Sequence, residues 1–298
     1  MSPSGARTVW TTRDLLAWMQ EAFARAGVDS PRICAEQLLA HVLGCDRLRL
    51  YMDADRPASE PERTALRDLV GRALKHEPTQ YLVGEAWFHS LPFHVDRRVL
   101  IPRPSTESAV DLVLRHLSLE PGFETGSIGE VGVGSGCVAV SLLKRLTKAR
   151  AIATDIDAGA IEVARSNAKR HGVLDRVDFA QGDLLEPLAA HPAGRGLVAL
   201  VSNPPYIPDY EWAAVEPNVK DHEPEHALRG GADGLAFVRP LLEHAHAHLK
   251  PGGLLVVEIA ASRADEALAI AQANRALARQ RIEHDTEGFE RFVVAERG

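Results

Sequence analysis

The run Gly196-Leu-Val-Ala-Leu-Val is apolar throughout and is followed by Ser202-Asn203-Pro204-Pro205-Tyr206. The run reads as a buried strand. Two prolines, each with a fixed φ and no N–H, stop it pairing further and stiffen its exit. Asn203 and Tyr206 are thereby set on a rigid turn at a strand end. A carboxamide there offers an accepting oxygen, and Pro204 adds a backbone carbonyl whose direction the prolines fix. Such acceptors suit a planar NH2 group, whose nitrogen lone pair is delocalised and therefore a poor nucleophile. Holding both N–H groups would localise the lone pair and aim it, while the Tyr206 ring closes over the planar group. The plainer reading is a strand-exit turn with Asn203 as its cap.

A second cluster of unusual residues lies upstream. "GEVGVGSGCVAV" places Glu130, Gly132, Val133, Gly134, Ser135 and Gly136 between an apolar strand and a helix. Glycines at this spacing let the chain turn tightly and approach a ligand, although the same turn also serves strand-to-helix packing alone. The next strand, "AIATDID", ends in Asp155, about twenty residues on, where dinucleotide folds place a carboxylate on ribose hydroxyls. A nicotinamide dinucleotide would call for G-x-G-x-x-G and a pyrophosphate at the helix N-terminus. Here the spacing is G-x-G-x-G, and Glu130 would repel a phosphate but suits a cation. S-adenosylmethionine, with a ribose diol, an ammonium and a sulfonium, satisfies both conditions. In "QGDLLEPL", Asp183 and Leu184 would edge its adenine, or Asp183 caps a helix.

These residues need a scaffold that brings several strand ends together. From "GSIGEVGVG" onward, apolar strand-like runs alternate with helical ones, which implies a parallel sheet covered by helices on both faces. Ligands in such sheets bind beyond the carboxyl ends of the strands. The segment "ADEALAIAQANRALARQ" reads as one helix, and "WFHSLPFHVDRRVLIPRPSTE" as a hairpin and turn with Trp87, Phe88 and Phe93 in its core. Residues up to about 85 read as helices. One has a Thr cap and stops at Gly27; another has Ser30 as cap, Pro31 next and Gly44 as stop; a third starts at Ser59. The expected division is a helical domain over 1–85 and an α/β domain over 86–298, with a hairpin linker near 86–103.

The chain has 298 residues, 45% hydrophobic and 25% charged, with a net charge of -7. That balance provides no overall basic field for a polyphosphate backbone. The three cysteines, Cys34, Cys45 and Cys137, lack metal or redox spacing and fit a reducing compartment. No apolar run has the length of a signal core or a membrane span, so a cytoplasmic protein without membrane partners is expected. His244, His246 and His248 lack a third converging ligand for zinc, and read as a solvated helix end; no metal site is expected.

Taken together, the motifs resemble the HemK family of protein glutamine N5-methyltransferases. The resemblance runs from about residue 12 to the end, and its specific parts are "IPRPSTE", "EVGVGSGCVAV", "VSNPPYIP" and "HEPEHALRGGADGL". It implies a Rossmann-like methyltransferase domain with a seven-stranded sheet whose last strand is antiparallel, and a helical N-terminal domain that recognises the substrate protein. It implies methylation of the Gly-Gly-Gln glutamine of peptide-chain release factors. The Gly132-to-Gly136 turn, Asp155 and Leu184 would hold the donor, and Asn203 through Tyr206, with Pro204 and Pro205, the glutamine amide. Two departures, Ala260 where many members have Gly and Leu184 where some have an aromatic, leave room for another protein substrate, such as a ribosomal protein. Two other functions compete. An N-methyltransferase acting on a flipped nucleic-acid base meets the same lone-pair problem but would want a basic recognition segment. A donor-binding scaffold without catalysis would be marked by decay at Asn203 or the glycine turn, and both are intact.

Overall fold

The computed structural model describes residues 9–298. The expectation about the N-terminal leader rests partly on residues 1–8, which lie outside the described residues.

One compact unit comprises the described residues up to Gly84 together with Pro217–His222. Its helices are α1 (Thr12–Ala26), α2 (Pro31–Leu43), α3 (Arg47–Met52), α4 (Glu60–Ala73) and α5 (Thr79–Val83). Thr11 and Asp14 form a reciprocal cap that starts α1, and Gly27 ends it in the left-handed conformation. Ser59 and Glu62 repeat the device on α4. Ser30 departs from its expected role. It sits at φ 45° and makes no side-chain cap, so Pro31 alone marks the start of α2. Met19, Phe23, Leu38, Leu39, Leu50 and Val70 form the core. Glu36 is buried beside it, where it accepts hydrogen bonds from Arg32, Arg47 and Tyr51.

The second unit comprises Glu85–Glu216 and Glu223–Gly298. It opens with an antiparallel hairpin, β1 (Glu85–Phe88) and β2 (Leu91–His94). Phe88 and Phe93 pack edge to face in its core, 6.2 Å between centroids. Trp87, expected beside them, is 64% exposed because alternation along a strand turns it to the other face. After α6 (Pro104–Leu119) come β3 (Ser127–Val131), α7 (Cys137–Arg145), β4 (Arg150–Asp155), α8 (Ala158–Arg170), β5 (Val177–Gln181), α9 (Glu186–Ala190) and β6 (Leu197–Ser202). The short α10 (Pro217–Lys220) belongs to the segment grouped with the helical unit, where the His222 ring lies 3.1 Å from the Lys75 carbonyl. The chain then continues through α11 (Val238–His244), β7 (Leu249–Glu258), α12 (Ala264–Ala273), β8 (Leu277–His284) and β9 (Glu290–Arg297).

Strands β3 to β9 form one seven-stranded sheet in the order β5-β4-β3-β6-β7-β9-β8. The pairs from β5 to β7 are parallel, and β9, the last strand, runs antiparallel to both β7 and β8. This is the Rossmann-like methyltransferase fold. Alternate residues of β7 feed two cores: Leu254 and Val256 face α6, α7 and α8, while Leu255 and Val257 face α11 and α12. The sequence reading of one long helix over 264–280 fails at its end, since Leu277 begins β8. The histidine run also differs. His248 is buried, with Nδ1 2.7 Å from the Gly194 carbonyl, rather than solvated.

Candidate active site

Strand order reverses between β3 and β6, so the chain leaves the sheet in opposite directions from two neighbouring strand ends. A crevice opens at such a switch point. The glycine turn follows β3 and the Asn203 turn follows β6, with Val131 opposite Ser202 in the ladder. The Ser202 hydroxyl donates to the Val131 carbonyl at 2.8 Å, which pins the two exits side by side.

The turn out of β3 must reverse within five residues to enter α7. Gly132, Gly134 and Gly136 do so at φ +76°, +49° and +79°, a region that side chains disfavour. Gly136 has a second role. A Cβ there would lie 3.1 Å from the Ala164 Cβ, so its bareness allows α8 to pack against the turn. The Gly134 N–H donates to Asp155 Oδ2 at 2.9 Å, and the Asp157 N–H donates to Oδ1 at 3.0 Å. Asp155 therefore anchors the turn while the rest of its accepting capacity faces the cleft. Burial raises its carboxyl above the ordinary range despite these two donors. Glu130 is buried at the end of β3, where it accepts from the Ala139 N–H of α7 at 2.9 Å. Burial pushes it up to about 8, the Ala139 bond opposing and the Asp155 charge adding. Its carboxyl group thus accepts a hydrogen bond from the first turn of a helix as well as lining the cleft.

Asn203 donates from Nδ2 to Thr106 Oγ1 at 3.2 Å, and Thr106 donates to Glu258 Oε2 at 2.7 Å. The Tyr206 hydroxyl donates to Glu258 Oε1 at 3.3 Å. Glu258 ends β7 and is 1% exposed. Burial pushes it up to about 7, against the pull of the Thr106 hydroxyl, Arg291, Tyr206 and Arg103. The Tyr206 phenol is raised as well, by burial and then by the neighbouring Glu258 charge. The backbone of this turn is buttressed by the "RGGADG" loop: Ile207 N–H donates to Leu228 and Gly230 N–H to Ile207. A Cβ at Gly234 would come within 2.6 Å of the Tyr206 carbonyl, so a side chain there would displace the turn.

One cleft gathers most of the residues expected from sequence: Glu130, the turn Gly132–Ser135, Asp155, Asp183–Leu184 and Asn203–Pro205. Gly136 and Tyr206 are not on its wall. The former faces α8 and the latter extends its hydroxyl to Glu258. Asp183 is not the cap of α9, whose N-cap is Leu185; it offers its backbone carbonyl to Glu186 instead. Leu184 holds φ 44°, a strained conformation for a leucine at the cleft wall. Sequence reasoning missed Thr106 and His226 on the wall, and Glu258 behind it. Arg103 lines the cleft and pairs at 2.5 Å with buried Glu223, which also accepts from the Ile101 N–H at 3.0 Å. The signal for Glu258 was present, since a lone carboxylate in the apolar run "LLVVEIA" must find partners when buried. Among the described residues, no group of three His, Cys, Asp or Glu side chains is placed to hold a metal, and no helix is long and apolar enough to cross a membrane.

Comparison with known proteins adds an independent line. The family model described as PrmC N-terminal domain matches residues 14–84, and the model described as methyltransferase small domain matches residues 104–217. Release factor glutamine methyltransferases of Chlorobaculum tepidum and Geobacter sulfurreducens are each 41% identical to this chain over 260 residues, covering 87% of it and 88% of each relative. The release factor glutamine methyltransferase of Rhodopirellula baltica is 34% identical over 297 residues, 98% of both chains. With both models matched and such relatives aligned over most of their length, the chain belongs to the family of release factor glutamine methyltransferases.

Proposed function

We propose that the protein transfers a methyl group from S-adenosylmethionine to the side-chain amide nitrogen of the Gly-Gly-Gln glutamine in a peptide-chain release factor. One observation carries this reading: the Asn203–Pro204 acceptors and the glycine turn with Asp155 share a single cleft at the switch point of the sheet. The residues fit the donor. Asp155 spends an N–H bond on each oxygen and keeps lone pairs for two ribose hydroxyls. Glu130, raised to about 8, would ionise readily on the approach of a cationic group. Asp183 and Leu184 lie at the end of β5, with β4 and β3 between them and Asn203, where a planar base would rest.

When bound, the donor supplies an electrophilic methyl on its sulfonium sulfur. The rest is positioning by this chain. Asn203 Oδ1 and the Pro204 carbonyl would each take one N–H of the glutamine amide, turning its nitrogen lone pair out of conjugation and towards the methyl. No base is needed before transfer, because the attacking nitrogen is neutral: its N–C bond would form as the methyl–sulfur bond breaks, the bonding pair returning to sulfur as a neutral thioether, and the methylated amide would then lose its surplus proton to solvent. The glycines flanking the target glutamine would let its backbone reach into a narrow cleft.

The experiment is a direct competition. Full-length protein and donor are incubated with intact release factor, with DNA or with RNA at equal concentration, and the methylated site is located by peptide mass spectrometry. Methylation is expected on the Gly-Gly-Gln glutamine alone, with a weak salt dependence compared with an enzyme that must neutralise many phosphates. Transfer to nucleic acid with the release factor untouched would overturn the assignment.

A further inference from the structure

We propose that Glu258 is a positioning residue that dictates which end of the Asn203 carboxamide faces the substrate. The proposal deepens the reading above and rests on it, since it takes Asn203 as the acceptor for the glutamine amide. A carboxamide has two ends of nearly equal shape, and only the oxygen accepts a hydrogen bond. An Asn203 turned the wrong way would meet the substrate N–H with its own N–H. Something must choose.

Thr106 alone cannot choose. Its hydroxyl lies 3.2 Å from Asn203 Nδ2, but a hydroxyl both donates and accepts, so by itself it would tolerate either end of the amide. Glu258 removes the ambiguity. An ionised carboxylate only accepts, and Oε2 at 2.7 Å claims the single Thr106 hydrogen. Thr106 is left with lone pairs towards Asn203, so Nδ2 must point at Thr106 and Oδ1 away from it. The second carboxylate oxygen, Oε1, accepts from the Tyr206 hydroxyl at 3.3 Å. One buried group therefore references both ends of the Asn203–Tyr206 turn.

The position of Glu258 supports this role. It closes β7, which pairs in parallel with β6, so it arrives beside the β6 exit through the sheet ladder itself. Burying a carboxylate costs several kcal/mol, and an apolar side chain in this core would avoid that cost. The groups that act on it are Arg103 and Thr106 from around the start of α6, Tyr206 from the β6 exit and Arg291 from β9, and its charge is felt by the buried Cys137 thiol at the start of α7. The two arginines act on it through space, each already paired with another carboxylate, Arg103 with Glu223 and Arg291 with Asp285. Burial still pushes Glu258 up to about 7, so the accepting form prevails above neutrality.

The test uses the full chain with donor and release factor, comparing wild type with Asn203→Ala, Thr106→Val, Thr106→Ser and Glu258→Gln. Thr106→Val should lower kcat by about 100-fold, the scale of a lost positioning or oxyanion-type contact, with KM for the release factor changed by less than about 3-fold. Thr106→Ser restores the hydroxyl and should recover most of the rate. In Glu258→Gln the new amide can donate to Thr106, freeing its hydrogen for Asn203 Oδ1 and flipping the carboxamide. Its kcat should fall by about 10-fold or more, and the rise of kcat with pH near neutrality should disappear. Donor dissociation constants and melting temperatures, measured on every variant, separate positioning from donor binding and from folding. Wild-type kcat in Thr106→Val and Glu258→Gln would overturn the proposal, as would losses that track donor affinity or melting temperature. If wild type is active and Asn203→Ala is dead, such a result refutes the relay alone. A wild type that binds donor but methylates no release factor refutes both readings.

Discussion

Replacing Asp155 by alanine removes a carboxylate with two jobs, and the structure allows them to be measured separately. Its oxygens hold the Gly134 N–H at 2.9 Å and the Asp157 N–H at 3.0 Å. Loss of these bonds leaves two backbone donors without their partner and should lower stability by about 1–3 kcal/mol, moderated by water entering from the cleft. The remaining lone pairs face the cleft, where the ribose of the proposed donor would lie. Two charge-assisted bonds at about 1.5–3 kcal/mol each, less the compensation by water, predict a loss of about 2–4 kcal/mol in donor binding. That is a rise of roughly 30- to 1000-fold in the dissociation constant. Titration calorimetry with S-adenosylmethionine reads the second effect, and thermal melting without donor reads the first. Asp155→Asn sharpens the comparison, because it keeps the shape but must set an NH2 against one of the two backbone N–H groups. It should bind donor between wild type and Asp155→Ala. A lowered melting temperature with an unchanged dissociation constant would refute the ribose role and leave Asp155 as a turn anchor only.

Asn203→Ala should leave donor affinity within about 3-fold of wild type and reduce kcat by about 100- to 1000-fold, since in the proposed reaction its acceptor would act on the nitrogen in the transition state. Combined loss of donor binding and melting temperature would favour a structural turn instead. Gly136→Ala should destabilise by about 1–3 kcal/mol, because it forces a side chain to φ +79° and to 3.1 Å from the Ala164 Cβ; denaturant melts check this, and an unchanged midpoint would refute the packing argument. Glu258 and Glu130 rise to about 7 and about 8, so between pH 4.5 and 8 the native state binds more protons than the unfolded chain. Stability should therefore fall as pH rises through that window. Glu258→Gln should flatten the fall by up to roughly 3 kcal/mol, and thermal melts of both proteins from pH 5 to 8 should converge at the acid end; parallel curves would refute it.

The doubly wound core was legible because parallel strands buried on both faces are written as continuous apolar runs, such as Leu197–Ser202. β8 was not, and the reason is physical. It is an edge strand, "LARQRIEH", with Leu277 alone buried, and a left-handed Arg279 shifts the register between Ala278 and Arg281. Both properties erase a period of two and leave a polar segment that reads as a continuation of the Ala-rich helix before it. The site divides the same way. Asn203 and the glycine turn stand out because their residue types are costly where they lie. Thr106 is an ordinary helix residue, and its bond to Glu258 spans 152 positions, a relation no local pattern encodes.

The slot filled by β9 has a consequence for how the protein is made. β9 lies between β7 and β8 and bonds to both, although it is synthesised after either. Until Glu290–Arg297 emerges from the ribosome, β7 presents an open, apolar edge, and β8 has no strand to bind. The five strands from β5 to β7 can assemble during elongation, but the remaining two must wait for an insertion between elements already made. A nascent chain stalled before Glu290 would expose a template for intermolecular strand pairing. The protein would then be vulnerable to aggregation in the last moments of its own translation.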